Sequence, residues 1–360
     1  MISKKQMCFE EHKESGEEDM PLKKQMARKD KYVPSANRYK TMQYATCGKS
    51  GLILPRVSLG FWHNFGDNVS LESMKKLCFA AFDAGITHFD LADNYGPKAG
   101  SAEKNAGRIL REEFSGHRDE LAVSTKAGYK MWEGPYGDWG SRKHLLSGLD
   151  QSLARLGLDY VDIFYHHRMD KDTPLEETMG ALNQAVTSGK ALYVGLSNYD
   201  GATLKEAAAI LDELHCPFVV CQNRYSILDR TIEGNGLKEA AATLGKGIAA
   251  FSPLAQGLLS GRYLEGIPDD SRVKTDGRFL RQKDITKAKL SKVRQLADIA
   301  KERGQTLAQM ALAWVLHHEE VTTVLIGASR PDQITDDVKA VENTAFTHEE
   351  LEAIERISLG

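Results

Sequence analysis

From residue 57 onward, short β-branched runs alternate with longer stretches whose apolar residues return at helical spacing. This is the pattern of repeated strand–helix units, and it confines the chain to a parallel sheet with helices packed on it. The runs are 57–59, 87–89, 121–125, 161–165, 192–196, 218–221, 248–251 and 322–326, eight expected strands in all. Helices are expected between them at about 71–84, 101–114, 143–156, 175–188, 202–214, 235–244 and 306–318. Gly85, Gly189, Gly245 and Gly304 stand where these helices end, since glycine takes up the left-handed conformation of a helix stop without strain.

Eight parallel units predict an α/β fold, a (β/α)8 TIM barrel. A doubly wound dinucleotide-binding sheet is disfavoured, because no GxGxxG follows any of the strands. The one long strand-free stretch, 253–285, comes after the seventh strand; it is too long for an ordinary connection and is expected to be a functional loop. Two extra helices are expected outside the barrel, at 286–304 and 347–358, the second with Thr347 as N-cap and Glu350 at its third position. Residues 32–360 then make one barrel domain. Residues 1–31 hold 15 charged side chains and little periodic apolar pattern, so a flexible extension is expected there, and Met20, Met26 and Met42 leave open a later start.

The formal charge is −3, with 47 basic and 50 acidic residues spread along the chain. No basic stripe is offered to a nucleic-acid backbone and no polybasic segment to an anionic membrane. Membrane insertion is not expected either, because no apolar run approaches the roughly 20 residues of a span, and the N-terminus has no secretory pattern. The five cysteines, Cys8, Cys47, Cys78, Cys216 and Cys221, are odd in number and form no CxxC pair. They suit a reducing compartment, and a cytoplasmic location is expected.

In a barrel of this kind chemistry gathers at the C-terminal strand ends, so the residue that follows each run is the one to inspect. Asp90 follows the second run, Lys126 the third, His167 the fourth, Ser197 and Asn198 the fifth, Gln222 the sixth, Ser252 the seventh, and Gly327 to Arg330 the eighth. Taken singly, each fits a solvated rim residue. Together they bring an acid, an amine and an imidazole to one mouth, with a phenol, Tyr95, five positions after Asp90. Such a set can protonate a carbonyl. An ammonium beside a phenol favours the phenolate and lowers its pKa from about 10. Lys126 would supply that ammonium, Asp90 would hold it charged and in place, and His167 would hydrogen-bond the substrate oxygen. Neighbouring strand residues face opposite ways, so His166 and His167 cannot both turn to the mouth. His317 and His318 have no acidic or cysteine neighbours at ligand spacing and are expected to be surface or dipole-facing residues; no metal is expected.

The constellation resembles the aldo-keto reductases, whose Asp, Tyr, Lys and His tetrad falls at the second, third and fourth strand ends. From about residue 32 to the end the chain is similar to the branch containing bacterial L-glyceraldehyde 3-phosphate reductases and the β subunits of voltage-gated potassium channels. The shared stretches are "CGKSGLILPRVSLGFWHNFG", "GITHFDLADNYGPKAGSAEKNAGRIL", "STKAGYKMWEGPYGDWGSRKHL", "LDYVDIFYHHRMD", "GKALYVGLSNY", "SPLAQGLLSGRYLEGIP" and "TLAQMALAWVLHHEEVTTVLIGAS". The resemblance implies Asp90, Tyr95, Lys126 and His167 as the catalytic tetrad. It places the family histidine at His167 and leaves His166 as a packed or hydrogen-bonded residue.

The resemblance also implies NADPH as hydride source. Ser197, Asn198 and Gln222 would bind the nicotinamide carboxamide, and Phe251 stands where a stacking tyrosine or tryptophan is usual. Trp62 and Asp90 would adjoin the same ring. Backbone groups of Ser252, Leu254, Gln256, Gly257 and Leu259, with Arg262 beyond them, would meet the pyrophosphate, and the long loop would close over the cofactor. Gly327, Ser329 and Arg330 precede a helix N-terminus whose free amides suit a 2′-phosphate, favouring NADP over NAD. Gln333 and Asp336 would hold the adenosine end, while Asp337 replaces the usual asparagine and sets a negative charge near the phosphate. Trp62, Tyr95, Trp132 and His167 would line a pocket for a small aldehyde, Arg168 or Arg142 could pair with a substrate phosphate, and Trp139 has no assigned role. Homo-oligomers are implied by the same branch. The second reading is a cofactor-binding regulatory subunit like the channel partners, which carry asparagine at the fourth-strand position where this chain has His167.

Overall fold

The described chain enters the fold through an antiparallel hairpin, β1 (Tyr44–Thr46) and β2 (Ile53–Pro55). The structure, a computed structural model, describes residues 31–269, 271–275 and 280–360; the expectation for residues 1–31 lies, save Lys31, outside them. The hairpin turn lies at the strand-start end of the barrel. Lys49 donates its amide to the Gly245 carbonyl (2.7 Å), and Cys47 and Leu54 pack with Ile163, Tyr165, Val219, Val220 and Ala249. No sequence signal announced these two strands.

Eight parallel strands follow and close on themselves: β3 (Val57–Gly60), β4 (His88–Asp90), β5 (Ala122–Ala127), β6 (Val161–His166), β7 (Ala191–Ser197), β8 (Phe218–Arg224), β9 (Gly247–Phe251) and β10 (Val321–Ile326). β10 pairs with both β9 and β3, which completes the (β/α)8 barrel. Strands sealed on both faces read as continuous apolar runs, and β10 is buried at every position. The ladders extend past the apolar runs. Asp90, Lys126, Ser197 and Gln222 lie inside their strands, opposite Ser124, Tyr165, Gln222 and Ala249 respectively. Because the backbone ladder fixes these residues, their side chains are held more rigidly than loop residues would be.

The helices are α1 (Leu71–Asp83), α2 (Ser101–Glu113), α3 (Arg142–Leu156), α4 (Leu175–Thr187), α5 (Gly201–Glu213), α6 (Thr231–Gly234), α7 (Leu237–Leu244), α8 (Arg272–Thr275), α9 (Lys287–Glu302), α10 (Leu307–His317), α11 (Pro331–Val338) and α12 (His348–Leu359). The four expected stop glycines, Gly85, Gly189, Gly245 and Gly304, all have positive φ. Thr347 caps α12 in a box with Glu350, as its spacing predicts. The two extra helices, α9 and α12, are tied by Lys292 Nζ donating to the Ser358 carbonyl (3.0 Å).

The stretch after β9 contains no strand among its described residues. It is a packed excursion, with 3-10 turns at Ala255–Ser260 and Gln282–Asp284. Leu258, Tyr263 and Leu280 form its own apolar cluster with Leu228, Ile267 and Ile285. Cys47, Cys78, Cys216 and Cys221 are buried and unpaired. No helix among the described residues is long and apolar enough to cross a membrane.

Candidate active site

The tight turn after β4 builds the first half of the site. Gly96 has φ +96°, and a Cβ there would meet Ser101 Oγ at 2.0 Å, so only glycine lets the chain fold back and leave Tyr95 facing β5. Ser101 does not cap α2; it is the first helical residue, and Gly100 in the left-handed conformation takes the cap position without a side-chain bond. Behind the site, Glu103 is fully buried, accepts from Thr125 Oγ1 (2.5 Å) and pairs with Arg155 (2.7 Å), fastening α2 and α3 to β5.

Three tetrad residues are joined by direct contacts. Lys126 Nζ donates to Asp90 Oδ2 (2.7 Å) and to the Leu91 carbonyl (2.6 Å), and stands 3.3 Å from the Tyr95 hydroxyl. The fourth member, His167, meets Tyr95 edge-to-face with ring centroids 5.9 Å apart. His166 turns the other way, its Nδ1 2.7 Å from the Tyr199 hydroxyl. Asp90, Lys126, His166, His167 and Tyr199 are buried, and Tyr95 is half-buried at the mouth.

A polar chain that no motif signalled runs through the barrel to Asp90. Thr323 Oγ1 and Ser58 Oγ are 2.7 Å apart, Ser58 Oγ is 2.9 Å from His88 Nδ1, and His88 Nε2 is 3.0 Å from Ser124 Oγ. Ser124 Oγ donates to Asp90 Oδ1 at 2.7 Å. That last bond fixes the others. Ser124 must accept from a protonated His88 Nε2, His88 Nδ1 accepts from Ser58, and Ser58 accepts from Thr323. Burial pulls the His88 imidazole down to about 4, so it is neutral and one tautomer serves. The signal available in the sequence was three polar residues, Ser58, His88 and Ser124, inside otherwise apolar runs.

The charge balance differs from the sequence expectation in one respect. Burial first, and then the charge of Asp90, hold the Tyr95 phenol well above its usual pKa rather than below it. The Lys126 ammonium, itself pulled down by burial, is already matched by Asp90. Tyr95 is therefore a protonated phenol at neutral pH. Burial, followed by the charge of Lys126, pushes His167 well below its ordinary value, so its imidazole is neutral.

The residues assigned to a nicotinamide cofactor gather at the same strand ends, with several amides already engaged. Gln222 Nε2 donates to Asp90 Oδ1 (2.9 Å), leaving its Oε1 for a carboxamide. Asn198, at φ +59°, donates to the His167 carbonyl (2.9 Å) and to Ser197 Oγ (3.2 Å). Phe251 ends β9 half-buried, so it is not a core aromatic. Ser252, Ala255, Gln256 and Gly257 all have positive φ, and a run of such residues opens a concave backbone suited to an anion. Within that run the amides of Gly257 and Leu259 turn inward to the Leu254 carbonyl (2.9 and 3.1 Å), and Gln256 Nε2 donates to Ser252 Oγ (3.0 Å). Arg262 is exposed beyond it. Two amides that lead into α11 are engaged by a side chain of that helix. Gln333 Oε1 accepts from Ser329 N (2.8 Å) and Arg330 N (3.2 Å), because glutamine at the third helical position closes a capping box. Arg330 also pairs with Asp332 on the surface beside exposed Gly327. A phosphate there would displace the Gln333 side chain. The donor set nevertheless fits a dinucleotide: hydroxyl, guanidinium and amides at one end, Phe251 and Gln222 at the other.

Asp336 and Asp337 part company. Asp336 Oδ1 accepts from Gln309 Nε2 on α10 (2.9 Å), facing the body of the protein. Asp337 is buried, and burial followed by the charge of Asp336 raises its carboxyl to about 7. The negative charge that the sequence expectation set there is therefore only partial at neutral pH. A carboxyl raised from 3.8 to about 7 on folding costs stability as pH rises through that interval, with the full penalty above it. Asp337→Asn is therefore expected to leave the urea midpoint unchanged near pH 4 and to raise stability at pH 8 by up to about 4 kcal/mol. An equal effect at both pH values would contradict the buried neutral carboxyl.

On the substrate side Trp62 is half-buried, with its ring 3.9 Å from that of His63. Besides Tyr95, the aromatic against His167 is Tyr129, at 4.6 Å edge-to-face, whereas Trp132 packs on His144 at 4.9 Å. Tyr129 was missed because its position depends on Gly128, whose φ of +143° swings the chain over His167. Arg142 donates to Gln184 on α4 (2.7 Å), which turns it along the helices, and Arg168 pairs with Asp138 (2.6 Å), so the Arg168 charge is already answered within the protein. His317 bonds the Thr344 carbonyl (3.2 Å), and His318, half-buried rather than on the surface, packs on Trp314. Among the described residues no group of three potential ligands could hold a metal ion.

A closed parallel barrel with a buried Asp90–Lys126 pair at its strand ends and Tyr95 in contact with it has the arrangement of an oxidoreductase of carbonyl compounds. The chain belongs to the aldo/keto reductase family, matching it over residues 56–359. It is 53% identical over 328 residues to L-glyceraldehyde 3-phosphate reductase of Escherichia coli strain K12 and of O157:H7, covering 90% of this chain and 95% of each relative. It is 37% identical over 306 residues to a probable voltage-gated potassium channel subunit beta of Oryza sativa subsp. japonica, covering 84% of this chain and 92% of the relative. Members of the family use nicotinamide cofactors.

Proposed function

We propose that the protein reduces small aldehydes such as L-glyceraldehyde 3-phosphate or methylglyoxal to alcohols with NADPH. The observation that carries the reading is the contact of the buried Lys126 with both Asp90 (2.7 Å) and Tyr95 (3.3 Å) at the strand ends. Bound NADPH supplies a hydride to the carbonyl carbon. Tyr95 gives its proton to the carbonyl oxygen as negative charge develops there. Lys126 steadies the resulting phenolate, Asp90 keeps Lys126 protonated and aimed, and neutral His167 orients the substrate oxygen through its ring N–H. A phenol with a high pKa suits this sequence: it holds its proton until the oxygen becomes basic and regains it readily afterwards.

NADPH is preferred over NADH in this reading because Ser329 and Arg330 adjoin the start of α11, where a 2′-phosphate finds a hydroxyl, a guanidinium and helix amides once Gln333 moves aside. The high identity to the glyceraldehyde-phosphate reductases supports the enzyme over a regulatory subunit, as does histidine at position 167. The test is steady-state consumption of NADPH and NADH with a panel of short aldehydes. Turnover with NADPH at KM values well below those for NADH is expected. Binding of NADPH without consumption by any aldehyde would favour the regulatory reading.

A further inference from the structure

The segment between β5 and α3 leaves the barrel at Gly128 and rejoins it at Ser141, and one side chain from outside holds its two ends together. Arg168, the residue after His167, donates from Nε to the Gly128 carbonyl (2.9 Å) and from Nη2 to Asp138 Oδ1 (2.6 Å). Its guanidinium carbon lies 3.7 Å from the ring centroid of Trp139 and 4.2 Å from that of Tyr129. A planar cation between two rings, bonded along its edge to a carboxylate and a carbonyl, is fixed in every direction, and lysine cannot reproduce this. Trp139 keeps its place in the sandwich at φ +70° although 44% exposed. Left-handed backbone at a bulky residue persists only where surrounding contacts impose it. Asp138 Oδ1 also accepts from the Trp139 amide (2.8 Å), so one oxygen sets both the bend and the ion pair. Tyr129, in turn, lies edge-to-face with the His167 ring at 4.6 Å.

We propose that Arg168 is a clasp. It folds residues 138–139 back over Tyr129, seats Tyr129 against His167 and so sets the width of the carbonyl pocket. It is a positioning residue that selects substrates by size, not a receptor for substrate charge, because Asp138 of the protein itself answers its charge. The size selection rests on the proposed reductase activity, whereas the clasp does not, and the two are read separately.

Arg168→Met, Arg168→Lys and Asp138→Asn are compared with the wild type, each first shown to be folded by its thermal transition. In limited trypsin digestion without cofactor or aldehyde, cleavage after Lys130, whose side chain is 58% exposed within the segment, is followed. It is expected to quicken on the order of tenfold in Arg168→Met and Asp138→Asn, the scale of a lost cation–π and ion-pair contact, and less in Arg168→Lys. With NADPH, KM for a short aliphatic aldehyde should rise by about tenfold while a bulky aromatic aldehyde gains relative to it, kcat changing less, as expected when uniform binding is lost. NADPH fluorescence quenching should be unchanged. Wild-type digestion rates in Arg168→Met and Asp138→Asn would overturn the clasp, and faster digestion with an unchanged ratio between the two aldehydes would overturn the size selection. A KM rise confined to a phosphorylated aldehyde, with wild-type digestion, would make Arg168 a charge receptor and overturn both. If the wild type reduces no aldehyde at all, the reductase reading fails and the digestion alone decides the clasp.

Discussion

Tyr95→Phe is expected to bind NADPH as the wild type does and to lose turnover by about 10²–10⁴-fold, the range for removal of a general acid. The substitution deletes one oxygen and leaves the ring, which meets His167 edge-to-face at 5.9 Å, in place. Lys126 keeps its bonds to Asp90 and to the Leu91 carbonyl, so the buried charges stay matched. Fluorescence quenching of bound NADPH and steady-state turnover, measured on the same preparation, separate binding from chemistry. Turnover within a few-fold of the wild type would remove Tyr95 from the mechanism.

The second large effect concerns stability. Lys126 and Asp90 side chains are 0% and 2% exposed, and they pair at 2.7 Å. Lys126→Met leaves the Asp90 carboxylate with its bonds from Ser124 and Gln222 and no cation. Breaking a buried pair from one side costs about 3–5 kcal/mol, which urea unfolding at pH 7 would read as a lower midpoint. The double variant Asp90→Asn with Lys126→Met removes both charges and is expected to recover most of that loss while remaining inactive. Additive losses in the double-variant cycle would show that the pair is not coupled in this way. Recovery of stability without recovery of turnover would mean that the pair is kept for its chemistry, since burying two charges gives little net stability.

The barrel was legible because strands covered on both faces must be apolar throughout, and helical spacing, closed in four places by a stop glycine, separated one run from the next. The hairpin of β1 and β2 was not, since two three-residue strands leave no periodicity to read. Asp90, Lys126 and His167 were visible as polar residues ending apolar runs, and the structure brings them together with Tyr95. Ser58, His88 and Ser124 stood in the runs as polar residues without a readable role, because polar residues within a strand acquire meaning only when neighbouring strands set them side by side. Tyr129 depended on a backbone angle at Gly128, and the engagement of the Ser329 and Arg330 amides depended on where the Gln333 side chain folds. The sign of the Tyr95 shift depended on depth. An ammonium nearby was legible, whereas the burial that outweighs it was not.

The central claim is that this site carries out carbonyl reduction and does not merely hold a reduced cofactor. It is tested most directly by loading the protein with one equivalent of NADPH, mixing it rapidly with excess methylglyoxal or glyceraldehyde 3-phosphate, and following NADPH fluorescence and alcohol product together. The expected result is loss of the bound NADPH signal within seconds, with one alcohol formed per cofactor. Bound NADPH that persists unchanged in the presence of every aldehyde tried would contradict it.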